Sequence, residues 1–208
     1  MSEARWQIFE RLRAALGGVA DKAPLPDYPA DVARSLGAQA PGDAVARFRE
    51  RLESVGGRAF ADPAALGAWL REQGALRGYC DRTLAGWLGP ALGGGLALET
   101  ALDRARIDDY QFGITRARGA IAETGSLILD DATTSSRLGA LAPWIHVAVL
   151  SQGRILPDVA AAIAALGDDP NVIFCTGPSK TADVEGILIE GVHGPGEQVA
   201  LILPSEAT

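Results

Sequence analysis

Cysteine and histidine are scarce in this 208-residue chain, with two of each. Cys80 and Cys175 form no CxxC motif, and His146 and His193 form no HxxxH motif. The chain by itself therefore lacks the ligands for a cysteine-rich iron–sulfur site or a typical structural zinc site, and we predict no metal in it. Because Cys175 lies in an apolar segment, we interpret it as a small buried hydrophobic residue and not as a catalytic thiol.

Long apolar runs and an excess of positive charge are also missing. No segment approaches the roughly 20 apolar residues that span a bilayer, and no apolar leader follows the first residues, so we expect a cytoplasmic protein without a membrane span. The net charge of −7 and the pI of about 4.9 argue against nucleic acid or an anionic membrane surface as the main partner.

The first 42 residues differ in pattern from the rest. Residues 4–16 place Trp6, Phe9, Leu12 and Leu16 at helical spacing, and a proline-rich stretch follows. We predict an N-terminal helix and proline-rich arm at 1–42 and an α/β domain at 43–208. The arm is a candidate docking element for a partner or a second copy of the chain, so a homo-oligomer is left open.

Helical and strand patterns alternate after residue 42. Asp43 and the pair Asp62-Pro63 predict helix starts. This alternation favours a mostly parallel sheet with helices on both faces. Glycines interrupt 82–105 repeatedly, so the pattern there is unclear, and we interpret the triple glycine at 93–95 as a flexible or tightly turning loop. The predicted strands are 58–61, 79–80, 127–129, 145–150, 172–175 and 198–203, and a further alanine-rich helix is predicted at 157–166.

The first candidate site follows the strand at 172–175. Ser179, Lys180, Thr181 and Asp183 come after the Gly177-Pro178 break and have the composition of a helix start. Helix N-termini attract anions, and Lys180 adds a full charge, so we predict that these four residues and Gly177 bind a small anion. In the alternative, the hydroxyls only cap a helix. The segment is not a phosphate-binding Walker loop, because serine and not glycine precedes Lys180.

The second candidate site is the turn at 123–126, between two apolar runs. Burying the Glu123 carboxylate is costly unless it is paired or hydrogen-bonded. Glu123 is therefore a candidate acid or base, with Thr124, Gly125 and Ser126 as ligand-binding neighbours. The alternative is a structural carboxylate that binds backbone N–H groups of a turn.

The third candidate site is His193 with Gly194, in a glycine- and proline-containing turn that suggests close approach of the backbone to a ligand. The alternative is a structural histidine that bonds to the backbone. His146, inside a strand, is interpreted as a core or edge histidine. The catalytic candidates are thus Glu123, Lys180 and His193.

Five sequence blocks together resemble the LUD domain of the lactate-utilization protein C family. The resemblance covers roughly residues 108–204. The blocks are GIT at 113–115, AIAETGSL at 120–127, PWIHVAVL at 143–150, GPSKTADVE at 177–185 and GVHGP at 191–195.

This resemblance implies a three-layer Rossmann-like fold, similar to the ribose-5-phosphate isomerase and CoA-transferase folds. It also implies a role in oxidising L-lactate to pyruvate beside iron–sulfur partner proteins, which would hold the clusters. Two alternatives stay open: a stand-alone enzyme acting on a phosphorylated sugar or an acyl-CoA, and a non-catalytic assembly subunit.

Overall fold

The structure, a computed structural model, describes residues 3–18, 43–166, 171–182 and 187–204. The chain divides into two compact units, Met1–Ala33 and Arg34–Thr208. The first contains helix α1 (Glu3–Gly17), which confirms the predicted N-terminal helix. Its large apolar side chains are exposed. The predicted proline-rich arm lies outside the described residues, and the predicted boundary after residue 42 stays a prediction.

The second unit alternates helices and strands, as expected from the sequence. In chain order it contains α2 (Ala44–Ser54), β1 (Arg58–Phe60), α3 (Pro63–Glu72), β2 (Arg77–Cys80), α4 (Arg82–Leu92), β3 (Ala97–Glu99), β4 (Phe112–Arg116), β5 (Gly119–Ile121), β6 (Ser126–Asp130), α5 (Arg137–Leu141), β7 (Ile145–Ser151), β8 (Ile155–Leu156), α6 (Val159–Leu166), β9 (Val172–Cys175), β10 (Lys180–Ala182), β11 (Leu188–Glu190) and β12 (Glu197–Leu203). Short 3-10 turns span Arg104–Asp109 and Gln152–Arg154.

A six-stranded sheet forms the centre of this unit. Its order is β1-β12-β7-β4-β2-β3, and every pair is parallel. The longest register joins β7 and β12, from Ile145 opposite Glu197 to Ser151 opposite Leu203. Both strands are buried almost throughout, which explains their nearly continuous apolar sequences. The predicted α/β class and parallel sheet are confirmed.

The two faces of the central sheet are covered differently. Helices α3 and α4 pack on one face, around Leu66, Leu70 and Leu88. The other face packs against α2, α5 and a second sheet of order β8-β5-β6-β9. Helix α6 covers the far side of that second sheet through Ala162. The expectation of helices on both faces is therefore right only in part, because a small sheet takes much of the second face.

Helix α4 and strand β3 occupy the region that the sequence pattern left unclear, and the triple glycine at 93–95 lies between them outside any helix or strand, as predicted. Leu84, Leu88 and Leu92 lie on one face of α4 and are buried in the core, and Asp81 caps the helix by accepting a hydrogen bond of 2.8 Å from the Thr83 N–H. Burial of each leucine contributes about 1.5–3 kcal/mol, which outweighs the cost of glycines within the helix. The sequence pattern did not reveal this helix because tertiary packing overrides local propensity.

The segment after β9 forms a hairpin and not the predicted helix. Strand β10 pairs antiparallel with β11, placing Lys180 opposite Glu190 and Thr181 opposite Ile189. Cross-strand pairing of this kind stabilises an extended backbone in a segment whose composition also suits a helix start. Strand β9 exists as predicted, but it lies at the edge of the second sheet and is only half-buried.

Candidate functional site

The C-terminal end of α2 brings the two predicted turns together. Gly125 and Gly177 have φ values of 69° and 74°. A Cβ atom on Gly125 would lie 2.4 Å from the backbone nitrogen of Leu52, and one on Gly177 would lie 2.5 Å from the carbonyl oxygen of Val55. Both positions therefore require glycine because each turn contacts α2 closely, which is a structural reason and needs no ligand.

Three hydroxyl groups connect the two turns. Ser126 Oγ lies 2.7 Å from Thr124 Oγ1 and 2.7 Å from Thr176 Oγ1. Ser126 is buried, whereas its two partners are more exposed. Three hydroxyls carry three protons, and the two bonds between them use two. One donor is therefore left over for a further acceptor, so this group of residues retains the capacity to bind a ligand.

Glu123 has a structural partner. Its Oε2 accepts a hydrogen bond of 3.2 Å from the backbone N–H of Val159, the first residue of α6. A carboxylate at this position complements the exposed N–H groups of a helix start. The contact supports the structural alternative given for Glu123, while its role as an acid or base stays a prediction.

Ser179 and Lys180 make contacts typical of a folded hairpin base. The Ser179 N–H donates to the Pro195 carbonyl at 2.8 Å, and the Ser179 carbonyl accepts from the Gly191 N–H at 2.9 Å. Lys180 Nζ lies 3.3 Å from Glu190 Oε1. With no helix starting here, the dipole contribution expected for an anion is lost, and Glu190 partly offsets the lysine charge. Asp183 lies outside the described residues.

Gly194 and His193 differ in their surroundings. A Cβ on Gly194 would lie 3.3 Å from Ser179 Cβ, so this glycine packs against the hairpin base. Gly194 also borders a cavity of about 430 Å³ at the amino ends of β4, β7 and β12, beside Trp144 and Tyr110. His193 is exposed and is not among the described residues that line this cavity. The ligand-binding role of both residues stays a prediction.

His146 is a core residue, as predicted. Its ring lies fully buried between two neighbouring strands: Gln198 Nε2 lies 2.9 Å from Nδ1, and Thr115 Oγ1 lies 2.9 Å from Nε2. If Gln198 donates to Nδ1, then Nε2 carries the proton and donates to Thr115. Burial lowers the pKa of His146 to about 4, so the ring is neutral at physiological pH.

Neither cysteine is an activated nucleophile. Burial raises the pKa of Cys80 to about 12 and that of Cys175 to about 11. A thiol with so high a pKa carries almost no thiolate near neutral pH. Cys175 is half-buried, somewhat more exposed than expected. In the described ranges, no three His, Cys, Asp or Glu side chains are grouped as a metal site requires.

A cavity that the sequence did not predict lies at the carboxyl ends of β4 and β7. Its volume is about 260 Å³, and Arg116, Arg118, Arg154, Thr133 and Ser151 are among the residues that line it. Parallel α/β sheets bind ligands at this edge. Arg116 and Arg118 follow the predicted GIT block directly, so asking which side chains end each strand would have found them. Arg154 joins them through the pairing of β4 with β7 and of β5 with β8.

Comparison with known proteins identifies the family. The family model described as the LUD domain matches residues 92–203, more than half of the chain. In the described part of the chain, no helix is long and apolar enough to cross a membrane.

Curated relatives match over about half of their own length. The chain is 29% identical over 106 residues to Lactate utilization protein C of Bacillus licheniformis, which covers 47% of this chain and 44% of that protein. It is 32% identical over 102 residues to Lactate utilization protein C of Deinococcus radiodurans, covering 47% of this chain and 48% of that one. It is 32% identical over 107 residues to the uncharacterized protein YkgG of Escherichia coli, covering 48% of this chain and 46% of that protein.

A solved structure shares the fold. The crystal structure of a DUF162 family protein from Deinococcus radiodurans superimposes with a TM-score of 0.54 at 22% identity, covering 77% of this chain and 96% of that chain. Together with the α/β architecture, the match over 92–203 leads to one conclusion: this chain belongs to the LUD domain family.

Proposed function

We propose that this chain is a component of a lactate-oxidising system that converts L-lactate to pyruvate together with iron–sulfur partner proteins. The observation that supports it is membership of the LUD family, combined with relatives named Lactate utilization protein C. Oxidation of lactate to pyruvate releases two electrons and two protons. In this proposal the clusters of the partner proteins accept the electrons, and this chain itself holds no cofactor.

In the same proposal, a small hydroxy or keto carboxylate binds where the two turns meet. The spare hydroxyl donor of the Thr124, Ser126 and Thr176 group supports this placement. Lys180 supplies positive charge nearby. Its Nζ lies beside Gly56, just past the end of α2, where an added Cβ atom would be 3.6 Å from it. Thr181, Asp183, His193 and Gly194 complete the proposed set.

The relation to the ribose-5-phosphate isomerase and CoA-transferase folds belongs to the proposal as well. The parallel central sheet with a second layer on each face supports it. A stand-alone acyl-transferring enzyme with a Glu123 nucleophile is less favoured, because one oxygen of that carboxylate already accepts the Val159 N–H.

A non-catalytic assembly role has one specific observation in its favour. Helix α1 exposes Trp6, Phe9, Leu12 and Leu16, with 41–56% of each residue accessible to solvent. An exposed apolar stripe on an amphipathic helix is typical of a docking element. In this alternative, deleting residues 1–42 abolishes activity of the complex, while Lys180→Ala leaves it nearly intact.

The proposal is tested by affinity purification of the tagged chain from cells grown on L-lactate. We expect iron–sulfur proteins to co-purify and the purified material to reduce an artificial electron acceptor when L-lactate is added. A purified chain that brings down no iron–sulfur protein and supports no lactate-dependent reduction would contradict the proposal.

A further inference from the structure

A second polar cavity, away from the two turns, lies at the carboxyl ends of β4 and β7. We call it the arginine cavity and define it by Arg116, Arg118, Arg154 and Ser151. We propose that the arginine cavity binds a small organic carboxylate. The charge of the cavity, its free hydrogen-bond donors and the apolar space beside it support this proposal, which does not depend on the lactate assignment.

Arg118 is held in place by the protein itself. Its Nη1 donates to Asp130 Oδ2 at 2.7 Å, and its Nη2 donates to the Ala165 carbonyl at 2.6 Å. Burial alone would raise the pKa of Asp130, but hydrogen bonds from Arg118 and Thr133 and the Arg118 charge outweigh it, so the pKa is lowered. Arg118 is therefore a fixed part of the cavity wall, and Asp130 already balances its positive charge.

Arg116 and Arg154 are not balanced in this way. Neither makes an ion pair or a side-chain hydrogen bond with any residue that the structure describes. None of the described residues lining the cavity is acidic. In a chain with a net charge of −7, two uncompensated guanidinium groups across a concavity form a local positive site. Guanidinium groups fit carboxylates because two parallel N–H donors match the two oxygens.

Ser151 adds a neutral donor. It precedes the 3-10 turn Gln152–Arg154, and its side chain makes no capping hydrogen bond to that turn. The residue is nevertheless largely buried and lines the cavity. A hydroxyl that lines a positive cavity and has no hydrogen-bond partner among the described residues is suited to donate to an oxyanion.

A smaller and less polar cavity adjoins the arginine cavity. Its volume is about 150 Å³, it shares Arg118 and Arg154 with the arginine cavity, and Ile128, Leu156 and Ala162 contribute to its wall. A ligand bound to Arg154 through its carboxylate therefore has apolar space for a short carbon chain. Both cavities are smaller than the roughly 300–1,000 Å³ of sites for drug-sized ligands, which limits the ligand to a few carbon atoms.

The location agrees with this assignment. In open parallel sheets, ligands bind in the crevice outside the carboxyl ends of the strands. Strands β4 and β7 are adjacent at the centre of the sheet, and the cavity opens where Arg116 and Ser151 end them. The two turns at the end of α2 belong to a different set of residues, so the two sites are separable by experiment.

The experiment is a titration of the isotope-labelled full chain with acetate, butyrate, pyruvate and inorganic phosphate, followed by amide chemical shifts. We expect saturable shifts at Ala117, Ser151 and Gly153, and butyrate binding at least about threefold more tightly than acetate because methylene groups become buried. Saturation confined to Thr176–Thr181, equal affinities for acetate and butyrate, or tighter binding of phosphate than of butyrate would each overturn the proposal.

Variants sharpen the test. Arg116→Gln and Arg154→Gln remove one charge-assisted donor set each and are expected to weaken butyrate binding by about tenfold. Arg104→Gln removes the same charge from an exposed 3-10 turn and is the matched control, expected to bind as the unaltered chain does. Equal weakening of butyrate binding in all three variants would show that the effect comes from net charge alone and would overturn the proposed site. Thermal unfolding of each variant checks that it remains folded.

Discussion

The side-chain oxygens of Ser126 and Thr176 lie 2.7 Å apart and join two turns that are 50 residues apart in the chain. Strand β6 leads out of the first turn and β9 leads into the second, and the two strands pair antiparallel with Leu127 opposite Cys175. This pairing brings two of the sequence blocks that resemble the LUD domain onto one surface. The resemblance alone gave only their order along the chain. Both blocks rest on α2, through Gly125 and Gly177.

Gly125 is expected to tolerate no side chain. Gly125→Ala places a Cβ atom 2.4 Å from Leu52 N in a backbone with φ of 69°, so α2 must shift. We expect a loss of about 2–4 kcal/mol in the free energy of unfolding, measured by urea denaturation.

The control is Gly86→Ala in α4, where an added Cβ meets nothing within 4 Å. Alanine there should be neutral or stabilise by about 0.5–1 kcal/mol. Equal effects of the two substitutions would contradict the close contact of the turn with α2.

The Arg118–Asp130 pair is expected to be essential for stability. Arg118→Met leaves the Asp130 carboxylate buried without its charged partner, at a cost of about 3 kcal/mol at neutral pH. Because the folded-state pKa of Asp130 lies below its ordinary value of 3.8, this contribution is present above that pH and is lost as the pH falls through the folded-state pKa.

The exposed Arg137–Asp131 pair, at 2.6 Å, is the comparison. Asp131→Asn should lower the free energy of unfolding by less than about 1 kcal/mol, since solvent screens an exposed ion pair. Similar losses of unfolding free energy in Arg118→Met and Asp131→Asn would show that burial does not decide how much each ion pair contributes to stability.

His146 is expected to make stability depend on pH below neutrality. Its folded-state pKa of about 4 lies below its ordinary value of 6.5, so the unfolded chain takes up a proton first as the pH falls. The contribution to stability is complete above the unfolded-state pKa and is lost between that value and the folded-state pKa. From about pH 7 to about pH 5, we expect a loss of about 2 kcal/mol.

The variant His146→Gln keeps hydrogen-bonding capacity but does not titrate. Urea unfolding at several pH values should show a flatter dependence in the variant over the same interval, whatever its absolute stability. An unchanged slope would place the titrating group elsewhere.

Lys180 separates ligand binding from stability. Its ion pair with Glu190 is partly exposed, so Lys180→Ala should change the free energy of unfolding by less than about 1 kcal/mol. If Lys180 binds the carboxylate ligand, the same variant loses lactate-supported growth. Glu190→Gln removes the pair but keeps the ammonium group, and it should retain growth. Retained growth with Lys180→Ala would favour the assembly role instead.

Local signals in the sequence were reliable where packing agreed with them. Asp43 and Asp62 cap helices as predicted, each accepting from the backbone N–H two residues on. The apolar runs at 145–150 and 198–203 form β7 and β12, because a strand buried on both faces has an uninterrupted apolar sequence.

The sequence was less informative where contacts outside the local segment decide the structure. Leu84 and Leu92 pack into the core and overcome the glycines and Pro90 of α4. Lys180 pairs with Glu190, which converts a predicted helix start into a strand. The arginine cavity escaped prediction because Arg154 approaches Arg116 and Arg118 through the pairing of β4 with β7 and of β5 with β8.

The most direct test of the lactate assignment is growth of a clean deletion strain on L-lactate as the sole carbon source, with pyruvate as the control carbon source. We expect the deletion to abolish growth on L-lactate, to leave growth on pyruvate unchanged, and to be complemented by the chain supplied from a plasmid. Normal growth of the deletion strain on L-lactate, in cells without a second copy of the gene, would contradict it.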